Sequence, residues 1–383
     1  MSLAKGKTRT HLPEDSLVDG QPDPVSAAGA ELSSATVSTR RARRAQDPLS
    51  QPATLRDVAR VAGVSVATVS LVVNDKTQAR VGEGTRQRVL QTVNALGYRT
   101  NALARSLVRG ESPFIGLVAD AIATTPFAGR IVRGAQEEAW KHGYVLLVAD
   151  TDAVPDATDR AIQMMGEHRA HGILFSTWYH RDVEPPASLG TIPTVFVNCR
   201  STSPGSYSVI PDEEQGGRAA TEHLIERGHS RIAFINSTET TPSTVGRLRG
   251  YKQALSSAHI AYDPKLLVRS FPEQEGGYAA GERLLAMANR PTAVFCYNDR
   301  VAMGLYDRLK EAGLAIPNDM AVVGFDDQEV IAAHLRPALT TVALPHYDIG
   351  ALAVRTLLDL TGPRQGPAGV QQVMCPPLIR EST

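Results

Sequence analysis

Between residues 54 and 97 apolar side chains recur at helical spacing. Leu55, Val58, Ala59 and Ala62 fall at i, i+3, i+4 and i+7, one stripe of a short helix. Thr54 stands at its N-cap with Asp57 three residues on, a spacing that lets each satisfy a backbone N–H of the other, and Gly63 ends it. Ser65 opens a second helix in which Val69 and Val73 face inward at i, i+4. A third is expected over residues 85–96, with Val89, Val93 and Leu96 on one face and Gly97 as its stop. The pattern is helix, tight glycine turn, helix, helix.

After Gly110 the texture becomes strand and helix in alternation. Apolar runs at 114–119, 144–149, 172–176, 194–198, 231–236, 293–297 and 321–325 are separated by helical stretches, the first of them around 131–142. Strands that are apolar throughout belong to parallel sheets covered on both faces. About 270 residues of this exceed one sheet. The expected fold class is therefore α/β: an N-terminal helical head and a two-lobed core of doubly wound parallel sheets, with a ligand crevice at the carboxyl ends of the strands. The expected boundaries are a tail over 1–53, a head over 54–100, a connecting segment over 101–112, and a core over 113–383. Within the core, the first lobe takes about 113–211 plus 345–361 and the second about 212–340 plus 370–383.

Charge changes this picture more than composition does. The 383 residues carry 40 Lys plus Arg against 40 Asp plus Glu, a balance that alone suggests no anionic partner. Its distribution does: residues 54–112 hold nine cations against four acids, and 113–383 hold 24 against 30. A small basic module is joined to a large acidic body. Residues 1–53 mix Pro, Gly, Ser, Ala and Asp without periodicity and read as a disordered tail. The cluster Arg40, Arg41, Arg43 and Arg44 near its end either adds phosphate contacts or is simply solvated. Cys199, Cys296 and Cys375 are far apart and show no metal-ligand spacing, so they read as reduced core thiols. With no apolar leader and no apolar run of membrane-spanning length, the chain is expected to be cytoplasmic, without membrane or metal.

The segment TLRDVARVAGVSVATVS (54–70) fits a DNA-reading helix-turn-helix. Its second helix places Val66 and Ala67 in the first turn, with Ser70 and Leu71 one turn later on the same side, small enough for a major groove roughly 12 Å wide. Thr68 and Ser70 offer hydroxyls to phosphates, and Arg56, Arg60, Arg86 and Arg88 supply sequence-independent attraction. An ordinary three-helix bundle would share the spacing without the ligand.

From Thr54 to Asn74, then GEGTRQRVL and LGYRTNALARSL, the chain resembles the lactose/galactose repressor family (LacI/GalR). The likeness continues through GHSRIAFI, GRLRGYKQAL, PTAVFCYNDRVAMG, IPNDMAVVGFDDQ, LTTVALP and PPLIREST, in the family's order and over about residues 54–383. It implies a periplasmic-binding-protein-like core, a dimeric transcription regulator, usually a repressor, that reads near-palindromic operator DNA, and a small-molecule effector, most often a sugar or sugar derivative. No cofactor is implied. The matched DNA-contacting positions are Thr54, Ser65, Val66, Ala67, Thr68, Ser70, Leu71 and Asn74 in the head, and Asn101, Ala104 and Leu107 in a hinge helix. That helix is too short to be stable alone, and Leu107 stands where the family wedges a leucine between base steps. The matched effector positions are Phe127, Arg247, Asn298 and Asp326.

Two departures stand out. Leu71 replaces the Arg that most members carry, so bidentate reading of guanine there is lost. Thr100 replaces the usual proline before Asn101, which removes a rigid entry to the hinge. Thr124, Thr125, Pro126 and Phe127 also replace the more common Ser-Asn-Pro-Phe.

Arg247 and Asp326 form a pairing suited to polyols or nucleosides. As effector contacts they would be dispensable for folding; as a buried ion pair they would not. Asn298 is expected as a ligand contact and Asp299 as a structural cap, while Phe271 and Trp178 are either stacking aromatics or core. A sugar receptor with the same core but no DNA binding is the alternative reading. An α/β enzyme is not supported, since no G-x-S-x-G, P-loop or G-x-G-x-x-G motif occurs. The lack of a leucine heptad after the family's usual ending favours a dimer over a tetramer.

Overall fold

A computed structural model describes residues 53–73, 81–98, 113–121, 129–363 and 366–383. The expected tail up to residue 52 and the hinge segment 101–112 lie outside them. The chain divides into two compact units, one ending at Arg99 and the other beginning at Thr100.

In the first unit, α1 (Leu55–Ala62), α2 (Val66–Val73) and α3 (Glu83–Ala95) pack on one another. Thr54 Oγ1 accepts from the Asp57 N–H at 3.3 Å and the Thr54 N–H donates to Asp57 Oδ2 at 3.0 Å, completing the capping box. Gly63 closes α1 at φ +64°, a left-handed conformation that favours glycine. The Thr68 N–H then donates to Ser65 Oγ at 3.0 Å, capping α2. Val58, Ala59, Ala62, Val69, Val72 and Val89 form the buried core. Val73 packs against this core as expected, partly buried; the pattern missed Val72 and misplaced Leu96. Val72, three residues from Val69, is buried more fully than Val73, because a two-turn helix can present either flank of its apolar stripe. Leu96 lies past the end of α3 and is 37% exposed. The chain turns there, with the Tyr98 N–H donating to Val93 O at 3.0 Å, and Tyr98 packs in its place.

The second unit holds two six-stranded sheets. The first contains β1 (Phe114–Ala119), β2 (Val145–Asp150), β3 (Ile173–Val183), β4 (Thr194–Ser201), β5 (Tyr207–Pro211) and β11 (Gly369–Val373), in the order 11-5-4-3-1-2. The second contains β6 (Ile232–Ser237), β7 (Leu267–Ser270), β8 (Ala293–Cys296), β9 (Ala321–Asp326), β10 (Thr340–Ala343) and β12 (Pro377–Leu378), in the order 12-10-9-8-6-7. All pairings are parallel except β10 with β12. Side chains alternate between the two faces of each sheet, so both faces are apolar. In the first sheet Ile115, Leu117, Leu174 and Val195 face α4 (Gly129–Lys141) and α10 (His346–Thr361). Val118, Ile173 and Phe196 face α5 (Pro155–Glu167) on the other side. The second sheet is covered in the same way by α6 (Glu213–Glu226) and α7 (Pro242–Ser257) on one face, and by α8 (Gln274–Leu285) and α9 (Asp299–Glu311) on the other.

All seven apolar runs are strands, and their order makes both lobes doubly wound. The expected lobe boundaries need one correction. Residues 370–373 were placed in the second lobe, yet Gly369–Val373 pairs in parallel with Tyr207–Pro211 of the first. This strand is short, polar in its middle and exposed along most of its length. Nothing in its apolar content declares which sheet it edges. The chain crosses between lobes after Pro211, after Ala343 and after Val373, and the crevice lies beside these crossings.

Candidate functional site

In the head, the N-terminal turn of α2 is open to solvent. Val66 is 43% exposed, Ala67 is exposed, and Thr68, Ser70 and Leu71 are half-buried. Ser65 and Thr68 serve the helix first, their hydroxyls 2.8 Å apart, which holds that turn rigid for whatever Val66 and Ala67 face. The basic side chains divide. Arg88 Nε donates to Ala62 O at 3.0 Å, tying α3 to the end of α1, and Arg60 pairs with Asp57 at 3.1 Å. Arg56 is exposed and has no partner among the described residues. Asn74, Asn101, Ala104, Leu107, Thr100 and Phe127, together with residues 124–126, lie outside the described residues.

In the core, a cavity of about 310 Å³ opens between the lobes. At its floor lies Arg247, 3% exposed. Its place is set by glycines: a Cβ on Gly250 would lie 2.0 Å from Glu214 O. Only glycine lets α7 approach the start of α6 so closely, and this brings Arg247 Nε to Glu213 Oε2 at 2.8 Å. Arg247 Nη1 donates to Tyr297 O and to Asp326 Oδ1, the latter at 3.5 Å. The guanidinium also stacks over the Phe325 ring at 3.6 Å and near Tyr297 at 4.6 Å. Its Nη2 has no hydrogen bond among the described residues, and it lies in a residue that lines the cavity. Glu213 in turn meets His180 Nδ1 at 3.3 Å.

Burial pushes the Glu213 carboxyl up, but Arg247 and His180 outweigh it and bring it to about 2. Asp326 responds oppositely: burial raises it more than the more distant Arg247 lowers it. Its backbone sits at φ +102°, a conformation that costs a non-glycine residue on the order of 1–3 kcal/mol. Asp326 Oδ2 is held by Gln328 Nε2 at 3.0 Å. Asp299 is fully buried and accepts from Thr341 Oγ1 and the Gln328 N–H, both at 2.6 Å. Burial pushes its carboxyl well above the usual range. A Cβ on Gly324 would come within 2.3 Å of Asp299 Oδ1, so that glycine makes room for the carboxylate. Asp299 is not the cap expected of it: it is the first residue of α9 and ties that helix to Thr341 and Gln328.

The crevice brings Arg247, Asn298 and Asp326 together. Asn298 is the N-cap of α9: its Oδ1 accepts from the Val301 N–H at 2.8 Å and its Nδ2 donates to Pro272 O at 3.0 Å. It lines the cavity with its amide largely spent, because the strand-to-helix turn needs that cap. Arg247 is both the buried partner of Glu213 and a lining residue of the cavity. Phe271, by contrast, is 58% exposed at the crevice, and Trp178 is half-buried there, its ring 4.8 Å from Tyr179. Phe271 faces the cavity, while Trp178 lines it and at the same time packs against the first lobe's core. The pattern missed His180, Glu213, Glu239, Glu273, Tyr297 and Arg300, all of which line it. For Glu213 a signal existed, the Asp212 N-cap that accepts from the Gln215 N–H at 3.0 Å and so marks a helix start.

The family described as bacterial regulatory proteins, lacI family, matches residues 54–101, and a periplasmic binding protein-like domain matches 221–383. The HTH-type transcriptional repressor PurR of Vibrio atlanticus is 35% identical over 333 residues, 86% of this chain and 98% of that protein. The chain belongs to the LacI family. The ribose operon repressor of Haemophilus influenzae is also 35% identical, over 80% of this chain and 91% of its own length. The lac repressor dimer solved with operator and the anti-inducer ONPF superposes with a TM-score of 0.72 at 28% identity, covering 87% of this chain and 99% of that one. LacI-family relatives are DNA-binding transcriptional repressors, not enzymes. A receptor without a DNA-reading head does not account for the match at 54–101. The PurR repressor and the ribose operon repressor are equally identical to this chain, so overall likeness does not choose an effector. No helix among the described residues is long and apolar enough to cross a membrane.

Proposed function

We propose that this LacI-family regulator binds a near-palindromic operator as a homodimer and that a small effector, a sugar or sugar derivative, binds at Arg247 and Asp326 to change that affinity. The carrying observation is the buried Glu213–Arg247–Asp326 cluster, lining a cavity between two lobes. An effector acts only through unequal affinity for two lobe arrangements, typically with a coupling of about 1–3 kcal/mol. Groups at the junction of the lobes are placed to create that inequality. In the head, Val66, Ala67 and Leu71 face base edges while Arg56 contributes to phosphate attraction, and Leu107 acts as the minor-groove wedge. The protein then works in the cytoplasm, where the DNA is.

Support for the homodimer comes from the outer edge of the first lobe. Val145, Leu147 and Val148 on β2 are 49%, 43% and 42% exposed, and Trp140 at the end of α4 is 62% exposed. A second copy covering them would remove these exposed apolar side chains from water.

Selection of operator sequences from a random library, followed by gel-shift titration, tests this reading. A palindromic consensus bound by dimers is expected, with affinity falling as salt rises. Sequence-independent binding, or binding by monomers, would overturn it.

A further inference from the structure

The interlobe crevice is longer than the site around Arg247. A second cavity, of about 330 Å³, lies beside the first and shares Arg300, Asp326, Leu344 and His346 with it. The two compartments differ in character. The first offers rings and hydrogen-bonding groups, with Phe271 more than half exposed. In the second, Val330 is 69% exposed and Ile331 is half-buried, a patch on the second lobe that no described side chain covers. Asp326 stands at the junction with one oxygen held by Gln328 and the other only 3.5 Å from Arg247.

Charge narrows what fits. Arg247 is opposed by Glu213 and Asp326, Arg300 by Glu273 at 2.7 Å, and Arg130 by Asp327 at 3.9 Å and Glu329 at 3.7 Å. Glu239 adds a carboxylate at the first compartment, with no salt bridge among the described residues. Residues 122–128 (IATTPFA) carry no charge, so they add no cation wherever they lie. A phosphate or carboxylate on the ligand would meet a lining with more carboxylates than arginines, its arginines already engaged and His180 held against Glu213, with His346 as the other imidazole, so its desolvation would be poorly compensated. An amine would displace or face arginines instead. Hydroxyls suit both kinds of wall, accepting from Arg247 Nη2 and donating to Asp326.

We infer that the effector is an uncharged glycoside of two linked parts. One sugar ring lies against Phe271 and hydrogen-bonds to Asp326 and Arg247, and a second, less polar unit reaches Val330. This rests on the effector reading above and narrows it: a phosphorylated or acidic monosaccharide is the wrong charge and too short.

The test is calorimetric titration of the full chain with neutral monosaccharides, disaccharides and alkyl glycosides built from them, and their 6-phosphates. A two-part neutral glycoside should bind at least about tenfold more tightly than its component monosaccharide, and about tenfold more tightly than its phosphate, as expected for an extra apolar contact. Val330→Trp, which fills the second compartment from an exposed position, should remove the first advantage and leave the monosaccharide affinity near wild type. Phe271→Ala should weaken both. Tighter binding of a phosphate, equal binding of the monosaccharide, an unaffected Val330→Trp, or no neutral glycoside binding at millimolar concentration would each overturn the inference. Operator binding is measured separately in the same preparations. A chain that binds operator yet prefers a sugar phosphate loses only this inference, while one that binds glycosides but no operator loses the regulator reading.

Discussion

Two carboxylates among the described residues are held at about 2, and they mean different things. Asp57 in the head lies at the surface, brought down mainly by hydrogen bonds from Thr54, three residues away. Glu213 in the crevice is fully buried, and burial alone would raise it; Arg247, 34 residues along the chain, brings it down. The first is a local device in water, where charge is screened and neighbours supply the partners at small cost in chain entropy. The second is a long-range device in a dry place, where each member is tolerable only because the other is present. The lesson is that a lowered carboxylate reports favourable surroundings, while burial decides how much folding depends on them.

The largest test of this contrast is Arg247→Ala. It leaves Glu213 buried without its guanidinium and should cost about 3–5 kcal/mol of core stability, read as a lower urea midpoint for the core. Loss of effector response without loss of stability would show instead that Arg247 is a ligand contact alone. Asp326→Asn, by comparison, should keep the fold, since that partner is more distant.

Next in size is Gly250→Ala. The added Cβ must push α7 away from Glu214 O, with an overpacking cost of about 1–3 kcal/mol. An unchanged midpoint would mean that the two helices separate freely and that Arg247 does not depend on their closeness.

Acid sharpens the contrast further. Because the folded pKa of Glu213 is depressed from its usual 4.5 to about 2, its contribution is present above pH about 4.5 and is lost as pH falls toward 2. Asp299 and Asp326 have raised values and work in the opposite sense, easing folding as they take up protons. Core stability measured across that window should therefore fall less steeply in Glu213→Gln than in wild type. Identical slopes would remove Glu213 as a contributor.

Smallest is Thr54→Ala, which deletes the capping box and should cost about 1 kcal/mol in the head, leaving the core transition unmoved. A shift in the core's unfolding would break the separation of local from long-range devices.

The same distinction explains which parts of the molecule could be seen in the sequence. Thr54, Asp57, Gly63 and Ser65 were legible because their partners sit within a few residues, and the seven apolar strands because each is buried on two faces. β5, β7, β10, β11 and β12 were not expected: they are two to five residues long, lie toward the sheet edges and include polar residues such as Gln371 and Gln372. In the site, Arg247 and Asp326 came from motif resemblance. Glu213 and His180, which meet across 33 residues, lie outside the stretches that carry it. Phe271 was ambiguous because exposure, not residue type, separates a stacking ring from a core ring. Val72 joins Val73 in the core and is the more deeply buried of the two, a difference of one helical step that an eight-residue segment does not decide.

The interleaving of the lobes has a consequence for how the protein is made. The first sheet is edged by residues 369–373 and the second by 377–378, so neither is complete on a nascent chain until residues 369–378 have left the ribosome. The head, ending before residue 100, is under no such constraint and can fold while the rest is still being synthesised. For much of translation a cell therefore holds chains with a finished DNA-reading module and unsealed β-edges behind it, and it is at this stage, more than in the mature protein, that chaperone protection matters.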